Sequence, residues 1–228
     1  MLPIRDYIPT RRTPVITYLL IAINAVVFVY EMLLLTAGQL DPFIYDWGAV
    51  PARVLGSLGL GSALTLITSM FLHGSFQHIL GNMLYLWIFG NNVEDAMGRT
   101  RFLIFYLLTG IVSGLAQVFA SPGSDVPAIG ASGAIAGVLG GYLLLYPQAR
   151  VSTLIFLGIF VRLAEVPAII VLGFWFVLQL FNGVAAFGIA EMGGVAWFAH
   201  IGGFLAGLIL VKLFARRQRD ALPTRRLL

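Results

Sequence analysis

The chain has no cysteine among its 228 residues, and only 11% of its residues are charged. Without cysteine, neither a disulfide framework nor thiolate chemistry is available. A soluble domain carries about 25% charged residues, and 11% is too few to cover a water-facing surface. The composition therefore excludes a soluble enzyme, and a hydrophobic content of 59% excludes a disordered chain.

The net charge of +4 does not indicate a nucleic-acid partner. A nucleic-acid-binding protein clusters its basic residues along one face, whereas here they lie at the chain ends and in short turns. We interpret the basic residues as signals of membrane topology.

Six apolar segments are candidates for helices that cross a bilayer, which takes roughly 20 apolar residues each. They are residues 15–35, 71–89, 102–120, 131–146, 168–187 and 197–214. The first is longer than the core of a signal peptide and no cleavage site follows it, so we expect it to remain as an anchor. The sequence predicts an all-α polytopic membrane protein, a six-helix bundle.

The domain organisation follows from these segments. Residues 1–14 are predicted to be a cytoplasmic N-terminal segment, residues 15–214 the six-helix domain, and residues 215–228 a basic cytoplasmic tail. A seventh apolar run, 151–161, is too short to cross a membrane and is assigned to a loop, either interfacial or re-entrant.

The distribution of basic residues predicts the orientation. Six spans place both termini on one side, and the segments on that side then hold every lysine and arginine except Arg53. We therefore expect a multi-pass protein of the cell membrane with both termini in the cytoplasm. Glu94, Asp95, Arg99 and Arg101 are interpreted as a solvated inner turn with local ion pairs.

Polar residues within membrane spans are candidates for function because their burial in lipid is costly. His78 and Asn82 share one face of the second helix, Ser132 opens the fourth, and His200 comes near the start of the sixth. These three helices all enter from the outer side. We therefore expect the four side chains to meet near the outer leaflet, in a pocket that water reaches.

The four residues suit nucleophilic catalysis. A serine hydroxyl becomes a nucleophile when a neighbouring histidine takes its proton, which assigns Ser132 and His200 as a dyad. The Ser132 amide at a helix N-terminus, with His78 and Asn82, is a candidate oxyanion hole. No acidic third member is evident. Each residue alone also fits a packing or capping role, and only their convergence favours catalysis.

The motifs around these residues resemble those of the rhomboid family of intramembrane serine proteases. The segment 73–82 carries its His-x4-His-x3-Asn pattern in His73, His78 and Asn82. The nucleophile motif is matched by Gly130-Ala131-Ser132-Gly133, and the base with its packing glycines by Ala199-His200-Ile201-Gly202-Gly203 and Gly207. The similarity extends from about residue 15 to residue 214.

The resemblance implies that Ser132 is the nucleophile and that His200 acts first as general base and then as general acid. It implies that His78 and Asn82 help to form the oxyanion hole, and that His73 is structural. The implied substrate is a transmembrane helix of another protein, locally unwound and cut near the outer face. No metal or organic cofactor is expected.

The sequence departs from the family pattern at two positions. Many members carry a Trp-Arg pair in the first outer loop, but here Trp47 is followed by Gly48. Some members place an aromatic residue four positions after the serine, against the base, and here that position is Ala136. The group that orients His200 must therefore come from elsewhere.

Two other functions remain open from the sequence. A non-catalytic member of the same superfamily that binds client helices would share this hydropathy. Proteins of that kind, however, lack the serine or the histidine. A small proton-coupled transporter ranks lower, since no internal repeat is visible. We also expect glycines to bring helices four and six together and the glycine-rich segment 187–194 to form a mobile cap.

Overall fold

The computed structural model describes residues 1–56, 59–158, 160–186 and 195–215. The predicted cap, 187–194, and nearly all of the predicted basic tail lie outside these described residues. Most of the described chain is helical, which confirms the predicted fold class of a polytopic helical bundle.

The described residues form ten α-helices and three β-strands. The helices are α1 (Val15–Thr36), α2 (Leu40–Trp47), α3 (Pro51–Gly56), α4 (Leu60–Thr68), α5 (Phe76–Tyr85), α6 (Asn91–Met97), α7 (Arg99–Ala120), α8 (Ser132–Leu145), α9 (Ala168–Ala186) and α10 (Trp197–Phe214). The strands are β1 (Leu2–Asp6), β2 (Arg150–Leu157) and β3 (Phe160–Pro167).

Four of the described helices, α1, α7, α9 and α10, are long and apolar enough to cross a membrane. They correspond to the first, third, fifth and sixth predicted spans. The fourth, α8, has 14 residues and is roughly 21 Å long at 1.5 Å per residue. Because that length is shorter than a bilayer core of about 30 Å, six crossings remain a prediction.

The second predicted span begins later than expected. Ser75 caps α5 by accepting a hydrogen bond from the His78 amide at 3.2 Å, so the helix starts at Phe76 rather than at residue 71. A π-helical turn over Leu86–Gly90 then joins α5 to α6. His73 therefore lies in the connection before the helix rather than on it.

The assignment of residues 151–161 to a loop was wrong. The run contributes to a β-hairpin, β2 and β3, and β2 also pairs antiparallel with the N-terminal strand β1. Gly158, with φ of +63°, lies at the turn, where a residue without a Cβ is favoured. The prediction that this run is too short to cross a membrane as a helix agrees with the structure, in which its described residues lie in a β-hairpin.

Glu94 is buried and not part of a solvated turn. Its carboxylate accepts hydrogen bonds from the Ile16 amide at 3.0 Å and from the Thr17 amide and hydroxyl, both at 2.8 Å. These amides are among the unpaired donors at the start of α1, whose preceding residue Pro14 provides no side-chain cap. Glu94 therefore fixes the N-terminus of α1 against α6.

Asp6 connects the sheet to the helical bundle. Its carboxylate accepts hydrogen bonds from the Asn92 amide group and from the Tyr142 hydroxyl, the latter at 2.9 Å. Burial raises the pKa of Asp6 from 3.8 to about 6, although the Tyr142 hydrogen bond opposes the shift. The folded protein therefore holds the Asp6 proton more tightly than the unfolded chain does.

Close contact between α8 and α10 sets the position of the site. A Cβ added at Gly203 would overlap the carbonyl of Gly133, and one added at Gly207 would overlap the carbonyl of Gly137. Both pairs advance in the same direction, so the two helices run parallel with their N-termini together. This confirms the predicted glycine-mediated approach of helices four and six.

We expect Gly207→Ala to lower the free energy of unfolding by roughly 1–3 kcal/mol, because the added methyl group would overlap the α8 backbone. The matched control is Gly173→Ala in α9, where nothing lies within 4 Å of the added Cβ. Denaturant titration in detergent micelles measures both. Equal effects of the two substitutions would contradict the packing described here.

We expect stability to fall as the pH rises from about 4 to about 6, because in that range the unfolded chain has released the Asp6 proton and the folded protein has not. Above pH 6 this contribution becomes constant. Asp6→Asn should remove that part of the slope, measured as the thermal unfolding midpoint at several pH values. An unchanged slope in Asp6→Asn would show that other groups cause it.

Candidate active site

Gly130 shapes the approach of the chain to α8. Its φ of +118° is one that L-residues rarely adopt, and its amide donates to the Ser69 carbonyl at 2.8 Å. A Cβ at this position would lie 2.6 Å from Nε2 of His78. A glycine is therefore required for the chain to pass His78 before α8 begins at Ser132.

Ser132 and His200 are in hydrogen-bond contact. Because α8 and α10 are parallel and joined through their glycines, residues in the first turns of both helices lie at the same end of the bundle. The Ser132 Oγ and the His200 Nε2 are 2.7 Å apart. The structure therefore brings together the two side chains that the sequence analysis paired, at a distance that permits proton transfer.

The other ring nitrogen of His200 contacts Gln179, a residue that the sequence analysis did not select. Nδ1 of His200 lies 2.8 Å from Oε1 of Gln179, on α9. The signal available in the sequence was a single amide side chain within the apolar run 168–181, where a polar group is costly unless paired. Only ionisable residues, serine and Asn82 were predicted from the sequence to be functional.

Two tryptophans pack beside the His200 ring. The Trp175 ring, on α9, is centred 5.9 Å from the imidazole at an interplanar angle of 40°, and the Trp197 ring is 6.2 Å away and edge-on at 89°. Ala136, at the position where some family members have an aromatic residue, is buried and has no ring. Trp175 and Trp197 therefore supply the aromatic packing that Ala136 cannot.

His78 and Asn82 both face the backbone just before Ser132. A Cβ at Gly130 would lie 2.6 Å from His78 Nε2 and 3.7 Å from Asn82 Nδ2, so both side-chain nitrogens border this turn. The Asn82 Nδ2 is buried and has no hydrogen-bond partner within the described part of the chain. The structure thus places a free donor next to the serine segment.

His73 makes a different set of contacts. Its backbone amide donates to both carboxylate oxygens of Glu31, at 3.0 and 3.1 Å, and its buried ring packs edge-on against the His78 ring at 5.0 Å. Through these contacts His73 joins the start of α5 to α1. A structural role for His73 stays a prediction.

The donor set does not suggest a metal site. Among the described residues, no group of three or more histidine, aspartate or glutamate side chains is arranged to hold a metal ion. The arrangement of hydroxyl, imidazole and free amide is instead one that acyl-transfer chemistry uses.

Comparison with known proteins identifies relatives of this chain. Residues 60–217 match the family model described as Rhomboid domain. The chain is 32% identical over 195 residues to Rhomboid protease GluP of Bacillus subtilis, covering 85% of this chain and 34% of that protein. It is 30% identical over 153 residues to Rhomboid protein 1, mitochondrial, of Saccharomyces cerevisiae, covering 65% of this chain and 41% of that protein.

Proposed function

Because the chain belongs to the rhomboid family, we propose that it is an intramembrane serine endopeptidase whose nucleophile is Ser132 and whose general base is His200. The chain spans only about a third to two fifths of the length of the two relatives named above. The proposal therefore depends chiefly on the site itself. The observation that carries it is the 2.7 Å contact between Ser132 Oγ and His200 Nε2.

The acylation step follows from this contact. His200 Nε2 takes the hydroxyl proton of Ser132 while Oγ attacks the carbonyl carbon of the scissile peptide bond, which gives a tetrahedral oxyanion. The protonated His200 then gives this proton to the departing amine nitrogen. The C–N bond breaks, the new N-terminus leaves, and an ester links the remaining fragment to Ser132.

Deacylation repeats the sequence with water. His200 accepts a proton from a water molecule, whose oxygen attacks the ester carbonyl and forms a second oxyanion. The C–O bond to Ser132 breaks, the proton returns from His200 to Oγ, and the fragment leaves with a new carboxylate. Each cycle therefore consumes one peptide bond and one water molecule and restores the dyad.

Three groups are proposed to stabilise the oxyanion. The first is the backbone amide of Ser132, since α8 begins there without a side-chain cap and the first amides of an α-helix have no partner within the helix. The others are the side chains of His78 and Asn82, which border the Gly130 turn. Preorganised donors of this kind act where charge develops in the transition state.

The proposed substrates are transmembrane segments of other membrane proteins. We further propose that cleavage occurs near the outer face of the cell membrane, with six spans and both termini in the cytoplasm, as the lysine and arginine distribution indicates. The mitochondrial relative makes a second membrane location a specific alternative, which fractionation of the native host would decide.

Neither alternative function is favoured by a specific observation. A protein that only binds client helices has no need for a serine hydroxyl placed 2.7 Å from an imidazole. A proton-coupled transporter has no need for the buried amide donor of Asn82 beside that serine. Both alternatives predict that an electrophile specific for activated serine leaves the protein unlabelled.

We expect purified wild-type protein in lipid nanodiscs to cleave a reporter transmembrane helix and to react with a fluorophosphonate at Ser132. Ser132→Ala and His200→Ala should abolish both, because the first removes the nucleophile and the second its base. Ser121→Ala, directly after α7, is the control serine and should behave as wild type. Cleavage retained in Ser132→Ala would refute the assignment of the nucleophile.

Asn82→Leu should lower kcat by about 10²–10³-fold, the usual effect of removing one oxyanion donor. KM and the thermal unfolding midpoint should change little, because the Asn82 donor has no partner in the described part of the resting structure. Steady-state cleavage of the reporter and thermal unfolding measure these quantities. An unchanged kcat would remove Asn82 from the oxyanion hole.

A further inference from the structure

We infer that Gln179 is a positioning residue that holds His200 in the tautomer and orientation required of a general base. The inference rests on the proposed function for its catalytic consequence. Its structural basis does not depend on that function. This basis is a chain of three polar groups that runs from Gln179 through His200 to Ser132. Gln179 is on α9, a different helix from those that carry the serine and the histidine.

The first step is the orientation of the Gln179 amide. Its Nε2 donates to the carbonyl oxygen of Trp175, one turn earlier in α9, at 3.4 Å. A carbonyl oxygen only accepts hydrogen bonds, so the NH₂ group must face Trp175. The oxygen Oε1 is therefore the atom that faces His200, 2.8 Å from Nδ1.

The second step is the tautomer of His200. Because Oε1 of Gln179 is an acceptor only, the hydrogen in this contact belongs to Nδ1. In a neutral imidazole the other nitrogen, Nε2, then carries a lone pair. Nε2 is the atom 2.7 Å from Ser132 Oγ, so the lone pair accepts the serine proton. The opposite tautomer would present a hydrogen to the hydroxyl and could not act as a base.

The third step is the orientation of the ring. Gln179 is 7% exposed, and buried hydrogen bonds are costly to break because neither partner finds water instead. Trp175 contacts the same ring and lies four residues before Gln179, so one face of α9 supplies both the amide and the aromatic surface. Two contacts from one helix therefore define the direction of Nε2.

Gln179 orients the base without contributing a negative charge. No acidic third member is evident in the sequence: Asp125 is in the loop before α8, and Glu191 lies outside the described residues. The inferred triad thus consists of serine, histidine and glutamine. The amide fixes geometry and tautomer, while the positive charge that forms on His200 during the reaction remains unneutralised by it.

The test compares three variants of the 228-residue chain in lipid nanodiscs. Gln179→Met keeps the length of the side chain and removes the acceptor, while Gln179→Glu keeps an acceptor oxygen. The matched control is Leu178→Met, the neighbouring and 40% exposed position of α9. We expect Gln179→Met to lower kcat about 10- to 100-fold, part of the roughly 10²–10⁴-fold that general-base catalysis contributes. Gln179→Glu should recover most of kcat, and Leu178→Met should match wild type.

A spectroscopic measurement separates positioning from a merely structural role. The chain has three histidines, so ¹⁵N labelling of histidine gives a small set of ring signals, and His200→Ala assigns those of His200. We expect a protonated Nδ1 and an unprotonated Nε2 in wild type, Leu178→Met and Gln179→Glu. Gln179→Met should show a substantial population of the Nε2–H tautomer.

The inference is overturned if Gln179→Met keeps the wild-type tautomer, whatever its kcat, or if its kcat stays within twofold of wild type. Should Gln179→Met fail to fold, the ring signals of wild type and of Gln179→Glu still decide, because an unprotonated Nδ1 in wild type contradicts the second step. A different result would refute the proposed function, namely that fluorophosphonate does not label the wild type. In that case the ring signals would still report the Gln179 hydrogen bond.

Discussion

The site depends on how closely two helix backbones approach each other. Gly203 and Gly207 of α10 lie against the carbonyls of Gly133 and Gly137 of α8, and no side chain fits between them. In lipid, where apolar side chains gain little from mutual burial, such close packing is a main source of helix association. Because the contact is parallel, it aligns the first turns of both helices and thereby sets the distance between Ser132 and His200.

The polar interactions are arranged around this apolar contact, and each one satisfies a backbone or side-chain group that lipid would leave unpaired. Glu94 caps α1, and the Glu31 carboxylate accepts a hydrogen bond from the His73 amide. Gln179 is hydrogen-bonded to the His200 ring. In a low-dielectric environment an unpaired polar group is costly, so each of these pairs restricts the position of an element. The polar groups therefore specify the geometry, while close packing supplies the association.

The sequence allowed the helical bundle and the pair Ser132 and His200 to be predicted, because apolar length and motif spacing are local signals. The pairing of β1 with β2 was missed because it joins residues nearly 150 positions apart, a separation that no local pattern reports. The hairpin of β2 and β3 was missed although its signal is local, because the run 151–161 was judged by its length against a bilayer and not by Gly158 at its turn. The Glu94 cap and the contact between Gln179 and His200 were missed for a related reason. Each joins a side chain of one helix to a group on another helix, and such partners become apparent only when the helices are packed.

The glycines of α8 recur at residues 133, 137 and 141, one α-helical turn apart. A displacement of α10 by four residues would place Gly203 on Gly137 and Gly207 on Gly141, so these two contacts alone permit two alignments. The same displacement would bring Leu144 against the Phe204 carbonyl, which now faces Gly140 and leaves no room for a Cβ. That displacement is about 6 Å, four residues at 1.5 Å each, and would separate the imidazole from the hydroxyl. The bulky Phe204, stacked on Phe176 of α9 at 4.4 Å, distinguishes the alternatives. A large aromatic side chain thus helps to select one alignment of two helices whose glycine contacts repeat every four residues.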